Sequence, residues 1–264
     1  MTDTPGIPPR VARRNQSLLG LASLLAGLFA WWLAARTAGL PSFILPSPGD
    51  VWSRFLASSS DGSLALHAGA TLTEILLGLS LGVGLATIIG YAVAKSRALE
   101  RMLSPYLVAS QAVPLVAIAP LLVIWFGPGM FSKVLICAII VFFPVLVNTI
   151  VGVRAVPPAL HDLMHSLHAR RRQILLKLEI PAALPVFLGG LRIGATLSVI
   201  GAVVGELVGA DRGLGFLINV GRGQYDTALV FVAMFVLIAL ALALYGVVAW
   251  LEARTLLWQE WRRE

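Results

Sequence analysis

Charge is scarce in this sequence, and that scarcity bounds everything else. Of 264 residues only 12% are Asp, Glu, Lys or Arg, against roughly 25% in an average soluble domain. Hydrophobic residues make up 58%, and the mean hydropathy is +0.87. A soluble domain of this composition would leave wide apolar patches exposed, because a chain of this size still has a large surface to cover. A soluble fold is therefore excluded, and lipid is the missing solvent. Cysteine is nearly absent too. Cys137 stands alone in the apolar run Val134 to Val147, which rules out an intrachain disulfide and reads as a free buried thiol. The sequence shows no nucleophile triad, no paired catalytic carboxylates and no cysteine-histidine metal cluster, so no bond chemistry is expected of this chain. The glycines from Gly205 to Gly223 lack the spacing, the lysine and the preceding strand of a phosphate-binding loop.

What the sequence does have is long apolar runs. A spanning helix needs about 20 mainly apolar residues, and such stretches occur near 17–36, 67–94, 105–126, 131–153, 183–209 and 227–250. They are continuous, unlike the alternating segments of about ten residues that build a membrane barrel. The expected fold class is therefore all-α: a polytopic membrane protein with about six transmembrane helices. A tail over 1–16 and another over 251–264 flank a membrane domain over 17–250, which includes a cytoplasmic two-helix loop over 154–182. Arg10, Arg13 and Arg14 ahead of the first apolar run have the outline of a secretory signal. Since further spans follow directly, an uncleaved first helix is the simpler expectation.

A net charge of +7 and a pI near 10.3 raise the question of nucleic acid, and the placement of the basic residues answers it. With the N-terminus inside, the inner connections hold Arg10, Arg13, Arg14, Lys95, Arg97, Arg101, Arg154, Arg170, Arg171, Arg172, Lys177, Arg254, Arg262 and Arg263. The outer ones hold Arg36, Arg54, Lys133, Arg212 and Arg222, and Arg192 falls within a span. Cytoplasmic loops carry the basic excess, so both termini are expected in the cytoplasm of a multi-pass protein of the cell's inner membrane. No nucleic-acid partner is needed to explain the pI.

Two connections are more than turns. The outer one opens with Leu45-Pro46-Ser47-Pro48, where the prolines stop the first helix and Ser47 or Asp50 caps an amphipathic helix along the outer surface. The inner one runs from Arg154 to Ala182. Its apolar residues Leu160, Leu163, Met164 and Leu167, and then Ile174, Leu175 and Leu178, fall at helical spacing, which predicts two short helices with one apolar face each. Pro181 is expected to end the second before the chain re-enters the membrane.

This inner segment resembles the cytoplasmic loop of the permease subunits of bacterial ABC importers, in the branch handling sulfonates, taurine, nitrate and thiamine precursors. The family loop reads Glu-Ala-Ala, three residues, Gly, nine residues, Ile-x-Leu-Pro. Here the same spacing holds Asp162-Leu163-Met164, then His168, then Leu178-Glu179-Ile180-Pro181, with both alanines and the glycine replaced. The resemblance extends from about Leu45 to Trp258, through Ile118-Ala119-Pro120-Leu121, Trp125-Phe126-Gly127, Phe142-Phe143-Pro144, Gly190-Leu191-Arg192 and Gly213-Leu214-Gly215-Phe216. It implies a permease subunit that forms the path for a small solute, docks a separate ATPase, receives solute from an extracytoplasmic binding protein and pairs with a second permease copy, with a homodimer expected. It implies no catalysis and no cofactor in this chain, ATP and Mg being held by the ATPase. The docking residues carried over are Asp162, Leu163, Met164, His165, His168, Ala169 and Arg170. His168 takes the place of a glycine turn, and a residue with a side chain adopts φ > 0 less readily. A secondary transporter or channel without an ATPase is the competing reading; it calls for intramembrane ion sites, and few acidic residues lie in the spans.

Other residues carry two readings each. His161, His165 and His168 stand at i, i+4 and i+7 on one helix face, as metal ligands or, more simply, as polar contacts to a partner. Arg170, Arg171 and Arg172 suit anionic lipid headgroups or an ion pair with the ATPase. Gly190, Gly194, Gly201, Gly205 and Gly209, like Gly78, Gly82 and Gly90, mark a close-packing seam, either within this chain or against the second copy. Polar residues inside spans are candidates for a pathway: Gln111, Asn148, Ser198 and Glu206 foremost, with Glu74 and Arg192. Glu206 reads either as a gating group or as an interfacial carboxylate paired with Arg212.

Overall fold

The computed structural model describes residues 9–37, 39–112 and 115–256. Among them all the regular structure is helical, in eleven α-helices and one π-turn: α1 Pro9–Thr37, α2 Pro48–Ser60, α3 Ser63–Lys95, α4 Arg97–Ala112, α5 Leu115–Phe126, α6 Met130–Arg154, α7 Pro158–Ser166, α8 Arg171–Ile174, the π-turn Leu175–Glu179, α9 Ile180–Gly209, α10 Leu214–Gly223 and α11 Thr227–Thr255. Among the described residues four helical stretches are long and apolar enough to cross a bilayer: Ser63–Lys95, Met130–Arg154, Arg171–Gly209 and Thr227–Thr255. The 33 residues of α3 make a rod about 50 Å long, well beyond the hydrocarbon thickness.

Several expected boundaries move. The first helix begins at Pro9, inside the segment read as a tail, and α11 runs on to Thr255. The apolar stretch 105–126 is covered by two helices, α4 and α5, with α4 starting at Arg97. The ends 1–8 and 257–264, with Arg262 and Arg263, lie outside the described residues.

Helix α6 is the centre of the bundle. It packs against α3 on one side and α9 on the other, and α11 and α10 lie against α9. Glycines decide how close these rods come. A Cβ at Gly82 would lie 2.7 Å from the Ala138 carbonyl oxygen of α6; one at Gly201 would lie 2.9 Å from the Cys137 Cα. Gly90 meets Thr149, Gly194 meets Val141 and Val145, and Gly205 meets Lys133 and Ile136. The seam foreseen in spans two and five is thus closed within the chain: Gly78, Gly82 and Gly90 of α3 and Gly190, Gly194, Gly201 and Gly205 of α9 face α6, and Gly209 faces Val123 and Pro128. This corrects the alternative of a seam kept for a second copy. Cys137 is a free thiol buried at the centre of this contact, its Sγ 3.6 Å from the Ser198 carbonyl oxygen.

The outer surface helix forms as its residues predict. Ser47 Oγ accepts from Asp50 N–H at 3.2 Å and Ser47 N–H donates to Asp50 Oδ2 at 3.0 Å, a complete capping box with Pro48 at the first helical position. Arg54 pairs with Asp226 at 2.7 Å, and Trp31 Nε1 donates to the Pro46 carbonyl at 3.2 Å, so α2 is held to α1 and to the start of α11.

Candidate functional site

The loop between α6 and α9 offers a surface and a mechanical root. Helix α7 has nine residues, none of them buried. Leu160, Leu163 and Leu167 are 41%, 54% and 68% exposed, so its apolar side faces away from the bundle. Asp162, His165 and Arg170 are exposed beside them, while Met164 and Ala169 are half-buried. The helix closes in a Schellman motif: Ala169 N–H donates to the Met164 carbonyl at 3.0 Å and His168 N–H to the His165 carbonyl at 2.9 Å. That motif requires a left-handed residue after the cap, and His168 takes it with φ 52°. The turn that glycine makes in the resembled family is therefore kept without glycine. Histidine is one of the few residues with a side chain that populates this region at all.

Two expectations change here. Helix α7 ends at Ser166, so His168 lies in the turn, off the helix face that would carry His161 and His165. Among the described residues no three His, Cys, Asp or Glu side chains gather as metal ligands. The predicted second short helix is instead the start of one helical stretch, Arg171–Gly209. Pro181 does not end it, because the π-turn just before absorbs the missing donor: Ile180 N–H reaches back five residues to the Leu175 carbonyl.

Glu179, the last residue of that turn, is 2% exposed. Tyr91 Oη donates to it at 2.9 Å, His161 Nε2 at 3.1 Å, and Lys95 Nζ forms an ion pair with it. Sequence reasoning passed over this residue as the variable position of Leu178-Glu179-Ile180-Pro181. A lone acid there carries no local signal, since its partners lie 18 to 88 positions away. At the same end of the bundle Arg154 pairs with Glu100 and donates to the Val93 carbonyl at 3.2 Å, and its guanidinium holds the Glu100 carboxyl below the ordinary range.

Inside the bundle a second polar group assembles. Glu206 is fully buried; Thr71 Oγ1 donates to its Oε1 at 2.6 Å and Gly215 N–H to its Oε2 at 2.5 Å. Leu214 N–H in turn donates to Thr71 Oγ1 at 2.8 Å. The carboxylate thus caps the N-terminus of α10 and ties α9, α3 and α10 together. Its partner is not Arg212, which is exposed and lies 3.8 Å from Asp211. Beside Glu206 sits Glu74, paired with Lys133 at 2.7 Å, both side chains nearly inaccessible. Lys133, an outer-loop charge by its place in the sequence, belongs to the bundle interior. The signal was present, since a lysine three residues into an apolar run calls for a buried partner.

Of the other path candidates, Ser198 is buried and donates to the Ala195 carbonyl at 2.7 Å. Half-buried Asn148 donates to the Pro144 carbonyl at 2.8 Å and faces Gly190. The side chain of Gln111 lies outside the described part of α4. Arg192 pairs with Glu252 and stacks on Tyr245 at 5.0 Å, linking α9 to α11.

Comparison with known proteins agrees with this anatomy. Residues 78–257 match the family model described as the binding-protein-dependent transport system inner membrane component. The riboflavin transport system permease protein RibX of Chloroflexus aurantiacus is 45% identical over 258 residues, 95% of this chain and 96% of that protein. The formylaminopyrimidine transport permease protein ThiX of Halalkalibacterium halodurans is 36% identical over 94% of this chain and 98% of its own length. Among solved structures, a chain of the inward-facing MetNI methionine ABC transporter shares the fold with a TM-score of 0.62 at 16% identity, covering 72% of this chain and 94% of that one. This chain belongs to the binding-protein-dependent transport system inner membrane component family and is the non-catalytic permease subunit of an ABC importer, a multi-pass protein of the inner membrane.

Proposed function

We infer that α7 and the turn after it form the handle by which an ATPase subunit moves this permease. The observation that carries the reading is the uncovered apolar side of α7, Leu160, Leu163 and Leu167, ending in a rigid turn at His168. An exposed helix with one apolar side fits a groove in a partner protein, and its charged neighbours set the register. Asp162, Leu163, Met164, His165, His168, Ala169 and Arg170 supply those contacts. Arg171 and Arg172, at the root of the next helix, are exposed and suited to anionic headgroups on the cytoplasmic face. Both termini are cytoplasmic, a second copy completes the path, and an extracytoplasmic binding protein delivers solute at the opposite side. ATP and Mg belong to the ATPase.

Burial of Ser198 and Glu206 supports a role in holding the helices that frame the path, leaving Gln111 and Asn148 as the candidates for direct solute contact. The two relatives named for riboflavin and formylaminopyrimidine favour a small nitrogen heterocycle as solute. The test is co-purification. The intact permease, expressed with its ATPase, retains it in detergent, and a variant whose residues 158–170 are replaced by a Gly-Ser segment of equal length loses it. Retention by that variant would refute the reading, as would loop residues labelled by an impermeant reagent added outside intact cells.

A further inference from the structure

Helix α7 has no fully buried residue, only half-buried His161 and Met164, so packing passes little of a push on it to the membrane helices. Three connections are available. Two are the chain itself, through buried Val156 to the end of α6 and through the turn at His168 into the helical stretch Arg171–Gly209; neither reaches α3. The third is His161, which meets Glu179 at 3.1 Å. Glu179 is the better transmitter, because one carboxylate takes donors from two other elements at once. Tyr91 and Lys95 sit on the last turns of α3; His161 sits on α7; Glu179 itself ends the π-turn at the root of α9. Charge-assisted bonds of this kind are shorter and about twice as strong as neutral ones, and with 2% exposure water competes little for the acceptor. The π-turn adds compliance in the right place. Its five-residue bond, Ile180 N–H to the Leu175 carbonyl, widens the helix just below Pro181, and such turns are where long helices change direction.

We propose that Glu179 is the joint between the docking helix and the membrane bundle: His161 hands displacement of α7 to Glu179, which moves the inner end of α3 and the root of α9 together. Glu179, His161, Tyr91 and Lys95 are positioning residues, touching neither solute nor nucleotide. The inference rests on the ATPase reading of α7, and its test separates the two.

The whole complex is spin-labelled in proteoliposomes at exposed Ala159→Cys on α7, Ala92→Cys near the inner end of α3 and Ala253→Cys on α11, in pairs, with buried Cys137 left in place. Distances are read before and after trapping with ATP, Mg and vanadate. In the otherwise unaltered complex both the 159–253 and the 92–253 distances shift, by about 2–5 Å as expected for helix displacements at interfaces. In His161→Leu the 159–253 shift persists and the 92–253 shift falls to less than half. His161→Gln, which keeps a side-chain N–H donor, retains both, and Glu179→Gln behaves like His161→Leu. Full shifts at both pairs in His161→Leu would overturn the joint. Loss of the ATPase from His161→Leu would overturn it as well, since His161 would then belong to the docking surface. If the unaltered permease binds no ATPase, the underlying reading fails first, an outcome that co-purification reports before any distance is measured.

Discussion

Lys133 and Glu74 give the most quantitative expectation for this bundle. Their charges lie 2.7 Å apart, 4% and 1% exposed, between α6 and α3, and Glu74 Oε2 has no hydrogen-bond partner among the described residues. At that separation and an effective dielectric of about 20 the gross attraction is about 6 kcal/mol, most of it offset by the desolvation of both ions. The net value of the pair is therefore small, but losing one partner is not. Lys133→Met leaves Glu74 buried, uncompensated and beside Glu206, and is expected to destabilise the protein by about 3–5 kcal/mol. The double variant Glu74→Gln with Lys133→Met removes both charges and should return to within about 1 kcal/mol of the starting protein. In detergent the single variant should melt about 6–20 °C lower, taking roughly 2–4 °C per kcal/mol for a chain of this size. The measurement is a melting curve of the detergent-solubilised permease for both single variants and the double. If Lys133→Met melts within a degree or two of the parent, or if the double variant is no better than the singles, Glu74 is not left as an uncompensated buried charge and the reasoning fails.

The remaining predictions concern local geometry. His168→Gly should stabilise the turn after α7 by about 0.5–1 kcal/mol, because glycine takes φ 52° without the Cβ penalty, and His168→Val should loosen it; limited proteolysis of the loop reads both. Ser47→Ala removes the cap of α2 and should cost about 1 kcal/mol in the same melting assay, while Ser53→Ala, whose hydroxyl bonds only its own helix, should change little. Gly82→Ala drives a methyl group to 2.7 Å from the Ala138 carbonyl and should cost about 1–3 kcal/mol. Gly84→Ala, two residues on with nothing within 4 Å, should be neutral or slightly stabilising; equal effects at the two sites would mean that α3 and α6 are not in this contact.

The places where the structure departs from sequence reasoning have two physical causes. Pro181 was expected to end a helix because proline lacks a donor, and a π-turn re-registered the bonds around it instead. The three loop histidines were placed on one face by counting residues, and the helix stopped two residues short of the third. For Glu206 one of the two sequence readings offers its neighbour Arg212, whereas Gly215 N–H and the Thr71 hydroxyl, 135 positions away, satisfy it. In the first two a local change of backbone bonding decided, and in the third a bond from elsewhere in the chain did.

Composition and short-range pattern alone settled that this chain lives in lipid, that its spans are helices, that Ser47 and Asp50 begin a surface helix, and that the polar stretch after Arg154 carries an amphipathic helix. These follow from water's rejection of apolar surface and from bonds closed within a few residues, both of which the order of side chains states directly. Which rods touch, which way the glycines face, where Lys133 finds its counter-ion and why Glu179 is buried were decided only when α3, α6 and α9 came together. Those bonds join residues 18 to 135 positions apart, and no local period records them.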